Sequence, residues 1–256
     1  MNPITIAQIT DIHIAEEGRL PNGVDVRANF LKVLKGVKEA NVDYMVISGD
    51  LCCDIGIIEV YEWVKSHLDA VEIPYFVLSG NHDDPSMIAE IFEMQGSLQK
   101  GDLYYSHKIE SLGQFIFLDS TVGRVSSQQL SFLTNCCKDT NEPQLLFIHH
   151  PPTLASVAHM DKNYSLQNIE EVQTAIKACA SRPQAIFCGH YHCERSISLP
   201  DLGTTVFISP SSAYFQINPN IDDFEIDSYQ SAWRKILWDG KTVKSSIKYV
   251  NKNYSL

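Results

Sequence analysis

Long apolar runs are missing from this 256-residue sequence. No stretch approaches the ~18 consecutive apolar residues of a membrane-spanning helix. The opening MNPITIAQIT lacks the basic stretch, apolar run and small-residue cleavage site of a secretory signal. Cations are scarce: 20 Lys and Arg face 31 Asp and Glu, for a formal net charge of -11. That balance disfavours nucleic acid or an anionic membrane as a partner, but not a small anion held by bound metal ions, whose charge inverts the local field. The seven cysteines are odd in number, and Cys52/Cys53 and Cys136/Cys137 are adjacent, so reduced thiols in a cytoplasmic protein are expected rather than a disulfide framework. Cys188 and Cys193 have no second Cys-x-x-Cys pair to complete a zinc knuckle. There is no G-x-S-x-G elbow, no internal repeat and no Gly/Ser/Pro-rich linker near residues 190–200.

What is present is an α/β alternation through the first 190 residues. Short β-rich runs at Ile4–Ile9, Tyr44–Ile47, Tyr75–Leu78, Gln114–Leu118, Leu145–Ile148 and Ala185–Phe187 are too short for helices. Between them Phe30, Leu31, Leu34 and Val37 recur at helical spacing, as do Ile57, Val60, Tyr61, Val64 and Leu68, and later Ile169, Val172 and Ile176. From Glu194 the pattern becomes successive β-branched segments around 204–208, 213–217, 224–226, 232–237 and 242–250, which reads as an antiparallel portion. Residues 1–256 are expected to form one domain, with a metal-ligand α/β part at 1–193 and a β-rich part at 194–256 that completes a second sheet. The basic segment 241–252 is interrupted by Val, Ile and Tyr and reads as a solvated last strand and terminus, not a membrane patch.

Almost every early run ends in groups that can bind metal: Asp11 and His13 (TDIHI), Gly49-Asp50 (ISGDL), Asn81-His82-Asp83 (LSGNHDD), His149-His150 (LFIHHPP), and His190 and His192 (FCGHYH). Strand C-termini of an α/β sheet open onto a shared crevice, so these side chains can converge. Asp11, His13, Asp50, Asn81, His149, His190 and His192 offer mixed oxygen and nitrogen ligands without thiolate. That set exceeds one tetrahedral zinc and suits two ions sharing a carboxylate, spaced to clamp an in-line displacement at phosphorus.

The five blocks D-x-H, G-D, G-N-H-[DE], a later H and G-H-x-H occur in order over Asp11–His192, and the chain thereby resembles the calcineurin-like metallophosphoesterases. The resemblance implies a four-layer αββα sandwich of two mixed β-sheets flanked by helices. It implies Asp11, His13 and His192 on one ion, Asn81, His149 and His190 on the other, and Asp50 between them, with His150 a neighbour of the ligand His149. The ions would be divalent or trivalent: manganese, iron or zinc. The stretches ASVAHMDKNYSLQN and FISPSSAYFQINPNIDDFEID are similar to segments of the class III, bacterial 3′,5′-cyclic AMP phosphodiesterases and extend the likeness to about residue 227. That likeness implies hydrolysis of a cyclic nucleotide by direct attack of a metal-bridging hydroxide.

His82 is assigned to protonating the leaving alkoxide, with Asp83 accepting from its other ring nitrogen. A singly charged cyclic diester needs few cations in its pocket, and the segments 153–168 and 209–220 could supply contacts to it. Asn81, His82, His150, His159, Asp161, Asn168 and Gln216 are the candidate substrate-binding residues. The alternatives are a phosphomonoesterase, pyrophosphatase or other phosphodiesterase on the same fold, or a binding scaffold without ions. A homodimer through edge strands of residues 194–256 is a third consideration.

Overall fold

The computed structural model describes residues 3–109, 112–138 and 142–250. Along the chain β1 (Ile4–Ile9), α1 (Val26–Glu39), β2 (Tyr44–Ser48), α2 (Ile58–Asp69), β3 (Tyr75–Leu78) and α3 (Pro85–Ile91) alternate. A short ribbon, β4 (Leu98–Gln99) and β5 (Asp102–Leu103), leads to β6 (Tyr105–Ile109), β7 (Gly113–Leu118), α4 (Ser127–Cys137), β8 (Gln144–Ile148), α5 (Ala158–Asn163), α6 (Ile169–Ala178) and β9 (Ala185–Cys188). The remaining strands are β10 (Arg195–Leu199), β11 (Thr204–Ile208), β12 (Gln216–Ile217), β13 (Ile226–Ser228), β14 (Ala232–Trp238) and β15 (Val243–Tyr249).

Two mixed sheets result. The first has the order β15-β14-β1-β2-β3, with β1, β2 and β3 parallel and β14 antiparallel to β1. The second has the order β10-β11-β9-β8-β7-β6, parallel from β11 to β7 and antiparallel at both edges. The early strands read as continuous apolar runs because both their faces are covered. Ile6 and Val46 of the first sheet and Phe115, Phe117, Phe147 and Phe187 of the second share one core between the sheets. Their odd neighbours Ala7, Ile9, Met45 and Ile47 pack outward under α1, α2 and α3. Ile116, Leu118, Leu146 and Ile148 do the same under α4, α5 and α6. The four-layer αββα arrangement follows from that period-two sorting of apolar side chains.

Phe76, Phe117, Phe147, Phe187 and Phe207 form a stacked row across the inter-sheet core, with centroids 5.3–5.4 Å apart. α1 begins on an Asp25 cap that accepts from the Ala28 amide at 2.9 Å, and it buries Phe30, Val33, Leu34 and Val37 while Leu31 faces solvent.

Two expectations are corrected. The segment after residue 194, expected to be antiparallel and to complete one second sheet, divides between both: β11 runs parallel to β9 in the second sheet, whereas β14 crosses to the first and pairs with β1. The thiols are not all reduced, because a disulfide joins Cys137 to Cys179 across a separation of 42 residues. α4 and α6 pack side by side on one sheet face, which brings together cysteines whose sequence positions give no hint of pairing; the other five cysteines are free. Two edge strands, β6 and β10, were unread because they carry exposed Ser106, His107, Lys108, Ser196 and Ser198 instead of an apolar run. The basic segment forms β15 with Lys244 and Lys248 exposed, and its last residues, 251 and 252, lie outside the described residues. No helix among the described residues is long and apolar enough to cross a membrane.

Candidate metal centre

Because β1, β2 and β3 run parallel, as do β8 and β9, the loops after all five strands emerge at one end of the sandwich. The loop after β1 continues beside the loop after β2: the amides of Asp11 and His13 donate to the carbonyls of Gly49 and Asp50 at 3.0 Å. Asp11, His13, Asp50, His190 and His192 all have left-handed backbone, with φ between 44° and 67°. Such a conformation costs a non-glycine residue about 1–3 kcal/mol and persists only where the surroundings over-determine it. Glycines permit the close approach. A Cβ on Gly80 would strike the Asp50 carboxylate, and one on Gly189 would strike the side chains of Thr10 and Asp11.

The buried side chains so placed fall into two groups whose potential ligand atoms lie within 4.8 Å of one another: Asp11, His13, Asp50 and His192, and Asp50, His149 and His190. Asp50 is common to both. His192 Nε2 is 3.0 Å from His13 Nε2 and 3.2 Å from Asp11 Oδ1. His149 Nε2 is 3.3 Å from Asp50 Oδ2 and 3.9 Å from Asp11 Oδ1. Asn81 lies exposed on the rim of the same cavity.

The donor set fits metal ions. Each of three imidazoles gives one nitrogen to a backbone carbonyl: His149 Nδ1 to Ser48 at 2.9 Å, His190 Nε2 to Tyr164 at 3.0 Å and His192 Nδ1 to Phe215 at 2.9 Å. A carbonyl only accepts, so a hydrogen sits on that nitrogen and the other nitrogen faces the cluster, the usual support of a metal-bound histidine. His149 Nε2 is buried and, apart from its 3.3 Å approach to Asp50, has no hydrogen-bond partner among the described residues.

Electrostatics agree. Burial pushes the His13 and His190 imidazoles down to about 3 and about 4, which keeps them neutral. Burial opposes the charge of Asp11, but His192 and His149 outweigh it and hold the carboxyl down at about 2; Asp50 is held low mainly by His149. Burial also opposes a proton on His149, yet Asp50 and Asp11 draw one there and raise it to about 10. Two buried carboxylates thus demand positive charge at this spot, which metal ions would supply.

Above the cluster opens a cavity of about 440 Å³, lined by His13, Asp50, His82, His190 and His192 at its floor, by Asn81 on its rim and by His159, Tyr164, Tyr214, Phe215 and Phe224 on its walls. A larger depression of about 680 Å³ runs between α4 and α6, but it is open, remote from the cluster and lined by Glu170 and Glu171. His82 lines the cavity, its amide donates to Asp50 Oδ1 at 3.0 Å, and its buried Nδ1 has no partner.

The proposed partner of His82 is a correction. The Asp83 carboxylate turns inward and accepts from the amides of Leu51, Cys52 and Gly80 and the hydroxyl of Tyr61, at 2.9–3.2 Å. Burial, with Asp50 nearby, raises its pKa to about 6. Asp83 ties the loops after β2 and β3 together and has no free oxygen for the His82 ring.

Four candidate substrate contacts also face elsewhere. Asp161 accepts from the amides of Ala155 and Val157 and from Tyr191. Asn168 brackets Val125 through its amide and carbonyl. Gln216 is spent on Ser211 and Gln230. Asn168 and Gln216 are buried, and all three are spent on backbone groups: Asp161 within its own loop, Asn168 on the loop at Val125, and Gln216 on Ser211 and Gln230. His150 is buried against Ser120 at 2.9 Å and stacks on His190 at 4.0 Å without reaching the cavity wall. Of the aromatic wall only His159 was named beforehand: Tyr164, Tyr214 and Phe215 come from the two loop segments suspected of touching substrate and Phe224 from just beyond the second, and no periodicity marks them.

Comparison with known proteins bears on this geometry. A model of the calcineurin-like phosphoesterase family matches residues 4–194. A Fibrobacter succinogenes protein named as a probable cyclic nucleotide phosphodiesterase is 35% identical over 248 residues, covering 97% of this chain and 94% of the relative. The Haemophilus influenzae 3′,5′-cyclic adenosine monophosphate phosphodiesterase is 29% identical, covering 96% of this chain and 90% of its own length. Among solved structures, a dimetal phosphatase from Danio rerio superposes with a TM-score of 0.68 over 98% of this chain and 100% of that one; at 15% identity it supports the fold. This chain belongs to the calcineurin-like phosphoesterase family and is a hydrolase.

Proposed function

We propose that the chain hydrolyses a 3′,5′-cyclic nucleotide, cyclic AMP first among them, at a two-metal centre. The observation that carries this reading is a carboxylate, Asp50, shared by two ligand groups beneath a cavity whose walls are aromatic and whose lining, among the described residues, contains no Lys or Arg. Relatives named for cyclic nucleotide hydrolysis over nearly the whole chain support it. Asp11, His13 and His192 would hold one ion and Asn81, His149 and His190 the other, with Asp50 common to both. Manganese, iron or zinc suits such mixed oxygen and nitrogen donors. Bound there, the pair supplies a water deprotonated near neutral pH and positive charge for the phosphoryl oxygens.

The residues of the chain do the remaining work. His82, on the cavity floor with its amide on Asp50, holds the proton that passes to the departing ribose oxygen. The carbonyls of Ser48, Tyr164 and Phe215 keep the ligand imidazoles in one orientation. A cavity without cationic side chains suits a monoanionic diester better than a dianionic monoester. The substrate is taken to be a small cytoplasmic nucleotide, and pairing of two copies would use the edges at β10 or β15. The test is a panel on manganese-, iron- or zinc-reconstituted protein: cyclic AMP, bis(p-nitrophenyl) phosphate and p-nitrophenyl phosphate. Faster turnover of the two diesters is expected, and a preference for the monoester would overturn the reading.

A further inference from the structure

The walls of the cavity form a continuous arc of rings. Tyr164 meets His159 at 5.7 Å, His159 meets Phe224 at 5.5 Å, Phe224 meets Phe215 at 5.8 Å, and Phe215 packs on the His192 ring at 4.9 Å. The outer two are unusually exposed for their size, Tyr164 at 53% and Phe224 at 47%. They stand on different segments: Tyr164 caps the end of α5, and Phe224 lies between β12 and β13. His159 Nδ1 and Asp223 Oδ1 lie 3.8 Å apart, so the two segments approach each other across the mouth.

The arc is registered to the metal ligands by its own backbone. The carbonyl of Tyr164 holds His190 and that of Phe215 holds His192. The residues that orient two ligand imidazoles therefore also carry the rings at the mouth. A group bound against those rings sits at a set distance from the phosphorus position. Among the described residues the lining holds no Lys or Arg, and its walls offer flat ring faces to any group beyond the phosphate.

We infer that Tyr164 and Phe224, with His159 between them, form a stacking clamp for the nucleobase and set a preference for purines; this rests on the nucleotide reading above. Base-on-aromatic stacking is sequence-tolerant and grows with the area of the base, so adenine gains more from it than uracil.

The test is calorimetric binding of adenosine 5′-monophosphate, uridine 5′-monophosphate and ribose 5-phosphate to the manganese-loaded protein, in the wild type and in Phe224→Ala, Tyr164→Ala and Phe224→Trp. Wild-type protein should bind adenosine monophosphate roughly tenfold or more tighter than ribose 5-phosphate, with the uridine compound between. Both alanine variants should shrink that ratio toward one, Phe224→Ala at unchanged metal content, and Phe224→Trp should keep it. Equal affinities in the wild type, or a ratio unmoved by either alanine variant, would overturn the clamp. A wild type that shows the ratio but does not hydrolyse cyclic AMP would leave the clamp standing and remove the hydrolysis reading.

Discussion

At the floor of the cavity every candidate ligand sits at a strand end, with left-handed backbone at five residues and glycines pressed against the carboxylates. At the mouth, 153–168 and 209–225 are mostly loop, held by side chains such as Asp161, Asn168 and Gln216 that bond backbone groups of these and neighbouring loops, and they line the cavity chiefly with rings. The floor is tightly packed, with its ligand imidazoles held by backbone carbonyls and its carboxylates by close glycine contacts. The mouth is assembled from replaceable contacts, the place where relatives on one fold can differ in substrate.

The sharpest way to break this contrast is at the shared carboxylate. Asp50→Ala should lose both ions and drop turnover to background, as read by elemental analysis and bis(p-nitrophenyl) phosphate assay; retention of both metals would show that the two ligand groups are independent. His82→Ala comes next. Its turnover should fall roughly 10²–10⁴-fold with metal content near normal, the signature of a lost general acid, and full activity would remove that role. Gly189→Ala should weaken the metal group containing Asp11 by about 10–100-fold, because the added methyl displaces a supporting contact of a ligand; competition with a chelator measures it. The smallest effect belongs to the mouth. Asp161→Asn should cost about 1–3 kcal/mol of stability from unsatisfied loop amides and raise KM more than it lowers kcat, read by denaturant unfolding and steady-state kinetics.

The same division governs what could be read beforehand. The strands at the floor were legible because burial on both faces leaves an uninterrupted apolar run, and the ligand motifs follow each run immediately. α4 was not, since Ser127, Gln128, Gln129 and Ser131 dilute its apolar period to Leu130, Leu133 and Cys137. Nor could the chain say that β11 and β14 enter different sheets, because partner choice depends on the strands already placed. For Asp161, Asn168 and Gln216 the residue types fit either substrate or backbone, and only the loop's path decides. Asp83 illustrates the limit within a motif: adjacent to His82 in sequence, its carboxylate points to the opposite side, into the amides of Leu51 and Cys52.

Metal stoichiometry of the reconstituted protein tests the central claim most directly. Elemental analysis after manganese loading and removal of free ion should find two ions per wild-type chain and none per Asp50→Ala chain. One ion or fewer in the wild type would contradict a centre in which a single aspartate joins two metal sites.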